Sequence, residues 1–196
     1  MKNKTNLIRI IPLFLLLAII VTLGSSCTES MAPEELKASV ELIDLNTRWE
    51  KKYYQPWPPK LTLAPAISFK VKNMGEEPLS YVYFNGIFRF IGEKENLGDN
   101  FLAGIHGDPL EPGEVSEEIT LQSNFGVEGD NVEHFKNNPE WKTAEVRIFA
   151  KSKGSQYILL GTYNISKKIN FEEPEPVGME EEEEKKKDEK KKKTLP

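Results

Sequence analysis

Disulfides cannot brace this chain from within: Cys27 is its only cysteine, and a single thiol makes no intrachain bridge. Histidine is nearly as scarce, with His106 and His134 in separate loop-like regions. No HExxH, paired-Cys or Walker-type pattern occurs, and no nucleophile elbow. Neither a metal nor a cofactor is therefore expected. A site built from His106, Asp108 and His134 would need a contact between distant loops, and both histidines read as surface residues. Basic charge is also in deficit, at a formal net charge of −5. No segment is both ordered and strongly basic, which speaks against a nucleic-acid binder. Long apolar runs are missing as well. Ile10 to Leu23 spans 14 residues and is interrupted by Pro12 and Thr22, whereas a bilayer span takes about 20.

What is present divides the 196 residues into unlike parts. Residues 1–26 hold Lys2, Lys4 and Arg9 and no acid, so a basic head precedes a short apolar core. That is the pattern of a secretory signal peptide. Leu23-Gly24-Ser25-Ser26-Cys27 follows directly. Small residues set immediately before a cysteine resemble the lipobox of bacterial lipoproteins. The resemblance implies that the Cys27 thiol takes a diacylglyceryl group and that cleavage makes Cys27 the acylated first residue. Two or three acyl chains hold a protein on a membrane stably, at about 0.8 kcal/mol per buried CH₂. Residues 27–37 are then the lipidated cysteine and a tether: they carry Pro33 and several glutamates and little apolar content.

Residues 38–171 form the folding unit, with one core's worth of chain. Ile67, Phe69 and Val71 alternate with Ser68, Lys70 and Lys72, which marks a half-buried strand. The run ends at Asn73-Met74-Gly75-Glu76, a turn signal. Strands are expected next at 79–84 and 87–91, with Asn85-Gly86 either turning a hairpin or bulging one long strand. Leu110-Glu111-Pro112-Gly113-Glu114 reads as a tight turn. Val115, Ile119 and Leu121 then share a face. Ala144, Val146, Ile148 and Ala150 alternate with polar neighbours and pair as a hairpin with 157–165 across Lys151–Ser155. An opening strand at 39–45 brings the count to about seven.

Short strands with one-sided alternation favour a single all-β, antiparallel sandwich, with a small β-barrel as the alternative. The stretch Ile67 to Gly75, followed much later by Leu110 to Glu114, resembles the immunoglobulin-like and fibronectin-III-like modules of bacterial envelope proteins. An Ig-like sandwich is what that resemblance implies.

Two stretches break the strand rhythm. Thr47 to Pro65 combines Trp49, Tyr53, Tyr54 and Trp57 with Pro56, Pro58, Pro59 and Pro65, and proline is barred from central strands. Ser123 to Trp141 carries Phe125, glycines, and one or two helical turns from Asn131 to Asn138. Long loops in compact domains are often functional. Trp49, Tyr53, Tyr54, Trp57, Phe125 and Trp141 are accordingly the candidate binding residues, since rigid aromatics dominate interfaces. Residues 172–196 hold 10 acidic and 7 basic residues and almost nothing apolar, so a disordered, solvated tail is expected.

These features describe an exported protein held on a bacterial membrane through Cys27, on the periplasmic or outer-surface side. Its expected role is non-catalytic: a binding or assembly module for an envelope protein or glycan. Two alternatives remain open. One is a small periplasmic hydrolase or protease inhibitor using the 47–65 and 123–141 loops. The other is a structural spacer. Labelled palmitate is expected to enter the wild-type chain and not Cys27→Ala; equal incorporation would remove the anchor.

Overall fold

A computed structural model describes residues 31–139 and 141–174. The signal peptide, Cys27, the start of the tether and the bulk of the charged tail lie outside these residues. Two sheets face each other. Strands β1 (Val40–Gln55), β2 (Lys60–Asn73), β5 (Ile119–Gln122) and β9 (Ile169–Asn170) form the first in the order β5-β2-β1-β9, and β6 (Val127–Gly129) pairs further along β2. Strands β3 (Val82–Phe90), β4 (Gly98–Ile105), β7 (Ala144–Ser152) and β8 (Ile158–Asn164) form the second, in the order β4-β3-β7-β8. Pairing is antiparallel except for the short β1–β9 contact. The fold is an all-β sandwich. The barrel alternative fails because the two sheets keep separate strand orders.

Alternation explains the core. Val82, Phe84, Gly86 and Phe88 of β3 face inward with Ala144, Val146, Ile148 and Ala150 of β7. They meet Ile67, Phe69 and Val71 of β2, and the Phe69 and Phe84 rings touch edge to face at 5.4 Å. Asn85-Gly86 makes neither a hairpin nor a bulge, because β3 runs through it in register with both neighbours. Gly86 serves packing instead: a Cβ there would stand 3.1 Å from Leu121 Cδ1, so its absence lets β5 approach.

Thr47 to Pro65 is not a loop. β1 continues to Gln55, and only residues 56–59 turn the chain into β2. The prolines are accommodated by position. Pro56, Pro58 and Pro59 sit in the turn, where Trp57-Pro58 is cis. Pro65 lies inside β2, opposite Trp49, with its carbonyl accepting from Ser123 N at 2.9 Å. In a strand, the N–H and C=O of one residue point the same way. The missing donor therefore faces the gap where pairing passes from β5 to β6. Strand β4, with the sequence Gly-Asp-Asn-Phe-Leu-Ala-Gly-Ile, is not among the strands expected from the sequence, yet it pairs along β3.

Asn73 ties the turns at one end. Its Nδ2 donates to Glu77 O and Leu110 O, at 2.9 and 2.8 Å, and its Oδ1 accepts from Gly75 N at 2.9 Å. The Asn-x-Gly and Pro-Gly turns are thus joined through one buried carboxamide.

The expected tether is partly folded. Helix α1 (Pro33–Ser39), with Pro at its start, packs on β7 and β8 and buries Leu36 completely. Ser152 Oγ donates to Met31 O at 2.9 Å. The domain boundary therefore falls before residue 38, because Leu36 supplies an apolar anchor within an otherwise polar segment. Leu36→Ala is expected to lower stability by about 2–5 kcal/mol in urea unfolding; an unchanged midpoint would show that α1 is not docked.

Candidate binding surfaces

The β1–β2 hairpin carries most of the aromatics that the sequence singles out, and the pleat sorts them. Trp49 is 1% exposed, tilted against Trp141 at 5.2 Å and stacked on Phe90 at 6.4 Å. Trp141 is also buried and meets Phe135 at 5.6 Å. Both are core residues, which corrects their assignment to an exposed interface: Trp49 is sealed between the sheets, and Trp141 shows only an edge, to a small cavity. Helix α2 (Val132–Lys136) brings Phe135 to this cluster, and Asn131 Oδ1 caps it by accepting from His134 N at 2.8 Å. Tyr54 is half-buried against Phe171 at 5.3 Å. Tyr53 is exposed and donates to Gln55 Oε1 at 2.5 Å. Trp57 is 84% exposed at the hairpin tip, and Phe125 is 67% exposed between β5 and β6.

The structure does not gather these residues into one site. Trp57 lies past Lys60 at the tip. Phe125 precedes the residue pair Val127–Leu63 and lies over the start of β4, where a Cβ on Gly98 would come 3.3 Å from the Phe125 ring. Cys27 lies outside the described residues.

Beside the Trp49–Trp141 cluster, Phe90, Phe135, Trp141, His134, Glu93 and Glu128 line a small cavity of about 220 Å³. Its carboxylates are already engaged: Glu93 pairs with Lys142 at 2.5 Å and Glu128 with Lys60 at 3.0 Å. Among the described residues no group of three or more His, Cys, Asp and Glu gathers to hold a metal ion.

A second surface was not anticipated from the sequence. The outward positions of β3, β4 and β7 carry Tyr83, Phe101 and Phe149, joined by Tyr81 and Tyr157 just outside the strands. Tyr81, Phe101 and Tyr157 are 46%, 51% and 42% exposed. Tyr83 and Phe101 stack at 5.7 Å. Cations lie over these rings: Lys151 Nζ is 5.8 Å from the Tyr83 centroid and 4.9 Å from that of Tyr157. Lys153 Nζ lies 5.1 Å over Tyr81, and the Arg147 guanidinium 5.8 Å over Phe149. Lower on the same face, Arg89 is neutralised by Glu145 at 2.5 Å. A signal existed in the sequence. From Tyr81 to Ile91 both alternating faces are largely apolar or aromatic, unlike 67–72, where one face is spelled Ser68, Lys70 and Lys72; Ser68, expected on a wet face, is itself buried.

Burial raises the Tyr157 hydroxyl above the ordinary tyrosine value of 10.0, partly offset by a hydrogen bond with the Asn85 side chain. Burial raises Tyr163 as well.

No protein-family model matches the chain, and no curated protein matches it. Among solved structures it is similar to the ApaA protein of Bordetella pertussis, at 16% identity and a TM-score of 0.36, over 65% of this chain and 94% of that one. A protein from Archaeoglobus fulgidus matches at 11% identity and a TM-score of 0.33, over 63% of this chain and 92% of that one. A β-glucuronidase of glycoside hydrolase family 2 matches at 9% identity and a TM-score of 0.36, over 61% of this chain but only 10% of the enzyme. At these values the matches bear on neither family nor activity.

The raised tyrosines carry a pH dependence. Folding favours their neutral phenols, so their stabilisation is complete below 10.0 and is lost as pH rises through their higher folded values. Thermal midpoints are expected to fall above that pH, and Tyr163→Phe is expected to flatten the decline; an identical slope in the variant would refute the assignment.

Proposed function

We propose that this chain is a lipid-anchored protein of the bacterial envelope that works without catalysis, as a binding or assembly module for an envelope protein or glycan. The observation that carries the reading is the exposure of Trp57 at the far tip of the β1–β2 hairpin. The described chain begins at the opposite end, where Met31 is held by Ser152. Val40 to Gln55 is 16 residues of strand, which at ~3.3 Å per residue separates the ends by on the order of 50 Å. Chain entry and aromatic tip thereby stand at opposite ends of the first sheet, of which β1 and β2 are the two long strands. Trp57 packs against little of its own protein, and a large rigid side chain presented in this way suits an interface.

The exposed tip counts against a structural spacer, which has no need of it. The hydrolase or inhibitor alternative loses support, because most of 47–65 is strand and the cavity carboxylates are tied to lysines. A photocrosslinker in place of Trp57 is expected to capture a discrete envelope component in living cells. Trp57→Ala is expected to weaken binding of that component while leaving the thermal midpoint within a few degrees. Loss of stability with no loss of capture would instead make Trp57 a packing residue.

A further inference from the structure

The aromatic and cationic face near the β7–β8 turn stands beside the point where the chain enters the fold. Ser152, whose hydroxyl holds Met31 O at 2.9 Å, lies between Lys151 and Lys153 in sequence. Its strand partner is Val82, set between Tyr81 and Tyr83. Cys27 precedes Met31 by four residues. Whatever the course of those residues, their reach is at most about 14 Å. An acyl chain on Cys27 would therefore bring this face, and not the Trp57 tip, within reach of the bilayer surface.

From this placement we infer that the Tyr81–Tyr83–Tyr157 cluster with Lys151 and Lys153 is a membrane-contact surface that rests on the anionic phospholipid headgroups around the anchor. The inference rests on the lipidation of Cys27 proposed above. Three features fit this occupant. Tyrosine has an apolar ring and a polar hydroxyl, and it is favoured at the level of the headgroups. The Lys151 and Lys153 ammonium groups, gathered over the rings, give the patch a positive charge that attracts anionic headgroups. Neither Lys151 nor Lys153 has a carboxylate partner among the described ion pairs.

The cations also bear on what else could occupy the face. Lysines over Tyr81, Tyr83 and Tyr157 already occupy π faces that a sugar ring would need for stacking. A second copy would set lysine against lysine. Glu76, Glu77, Glu111 and Glu114 flank the same end on the turns gathered round Asn73. Their repulsion from anionic lipid confines contact to the β3–β7–β8 face.

The test uses the lipidated full chain in vesicles of phosphatidylcholine with or without phosphatidylglycerol. Amine acylation at each lysine is read by mass spectrometry. Lys94, exposed beyond the opposite end of β3, is the internal reference. Lys151 and Lys153 are expected to acylate about fivefold more slowly than in pure phosphatidylcholine. High salt and detergent are each expected to abolish the difference, and the rate at Lys94 is expected to stay constant. In Lys151→Glu/Lys153→Glu, vesicle flotation is expected to persist while the protection of Lys37, on the neighbouring α1, by anionic lipid disappears. Equal rates in both vesicle types would overturn the inference. So would protection of Lys151 and Lys153 that occurs in cells but not in vesicles, since that identifies an acidic protein as the occupant. Failure of the underlying anchor is separately visible, as a chain that takes up no palmitate and does not float.

Discussion

The Asn73 carboxamide is the constraint on which one whole end of the sandwich depends. It is fully buried at the end of β2, and three of its side-chain hydrogen bonds go to backbone groups. Its own backbone N–H donates to Glu114 O at 3.0 Å, and its carbonyl accepts from Gly113 N at 2.8 Å. A buried amide left unpaired costs roughly 1–3 kcal/mol, so the two turns it satisfies are locked to each other and to the sheet. Met74 N donates to Ser39 O at 2.8 Å and Ser39 Oγ to Glu35 O at 2.9 Å, which extends the same network into α1. The entry of the chain, the first turn and the Pro-Gly turn thus behave as a single unit.

That unit gives the module a direction. Chain entry, α1 and the β7–β8 turn lie at the braced end; the Trp57 hairpin lies at the other. Between them, Phe69, Phe84, Trp49 and Trp141 fill the space between the sheets with ring contacts of 5.2 to 5.4 Å. Close approach of the sheets depends on glycine where no side chain fits: a Cβ on Gly104 would stand 2.8 Å from Ile119 Cδ1 of the facing sheet.

Much of this was legible in the chain. The alternations at 67–72 and 144–150 identified inward positions correctly, and the Pro112-Gly113 turn forms with Gly113 at φ +82°. Other elements were hidden. Strand β4 is spelled with Gly, Asp and Asn, and forms because β3 offers it an edge to pair with. The hairpin residues 47–55 were obscured by nearby prolines, whose cost depends on which side of a strand lacks a partner. Trp49 and Trp141 looked like interface aromatics because residue type alone does not say whether a ring faces a partner or the opposite sheet.

Sequence by itself determined the broad organisation: a signal-like apolar segment ending at a lone cysteine, one β-rich core, and a charged terminal segment with nothing to bury. Those conclusions rest on composition and period, which are local properties. Only the tertiary structure decided which aromatics are buried, where Asn85-Gly86 leads, and that Tyr81, Tyr83, Tyr157, Lys151 and Lys153 stand together beside the chain's entry. These depend on strand register between segments some 70 residues apart, such as Val82 and Ser152. Register follows from the packing of the whole core rather than from any one stretch of chain.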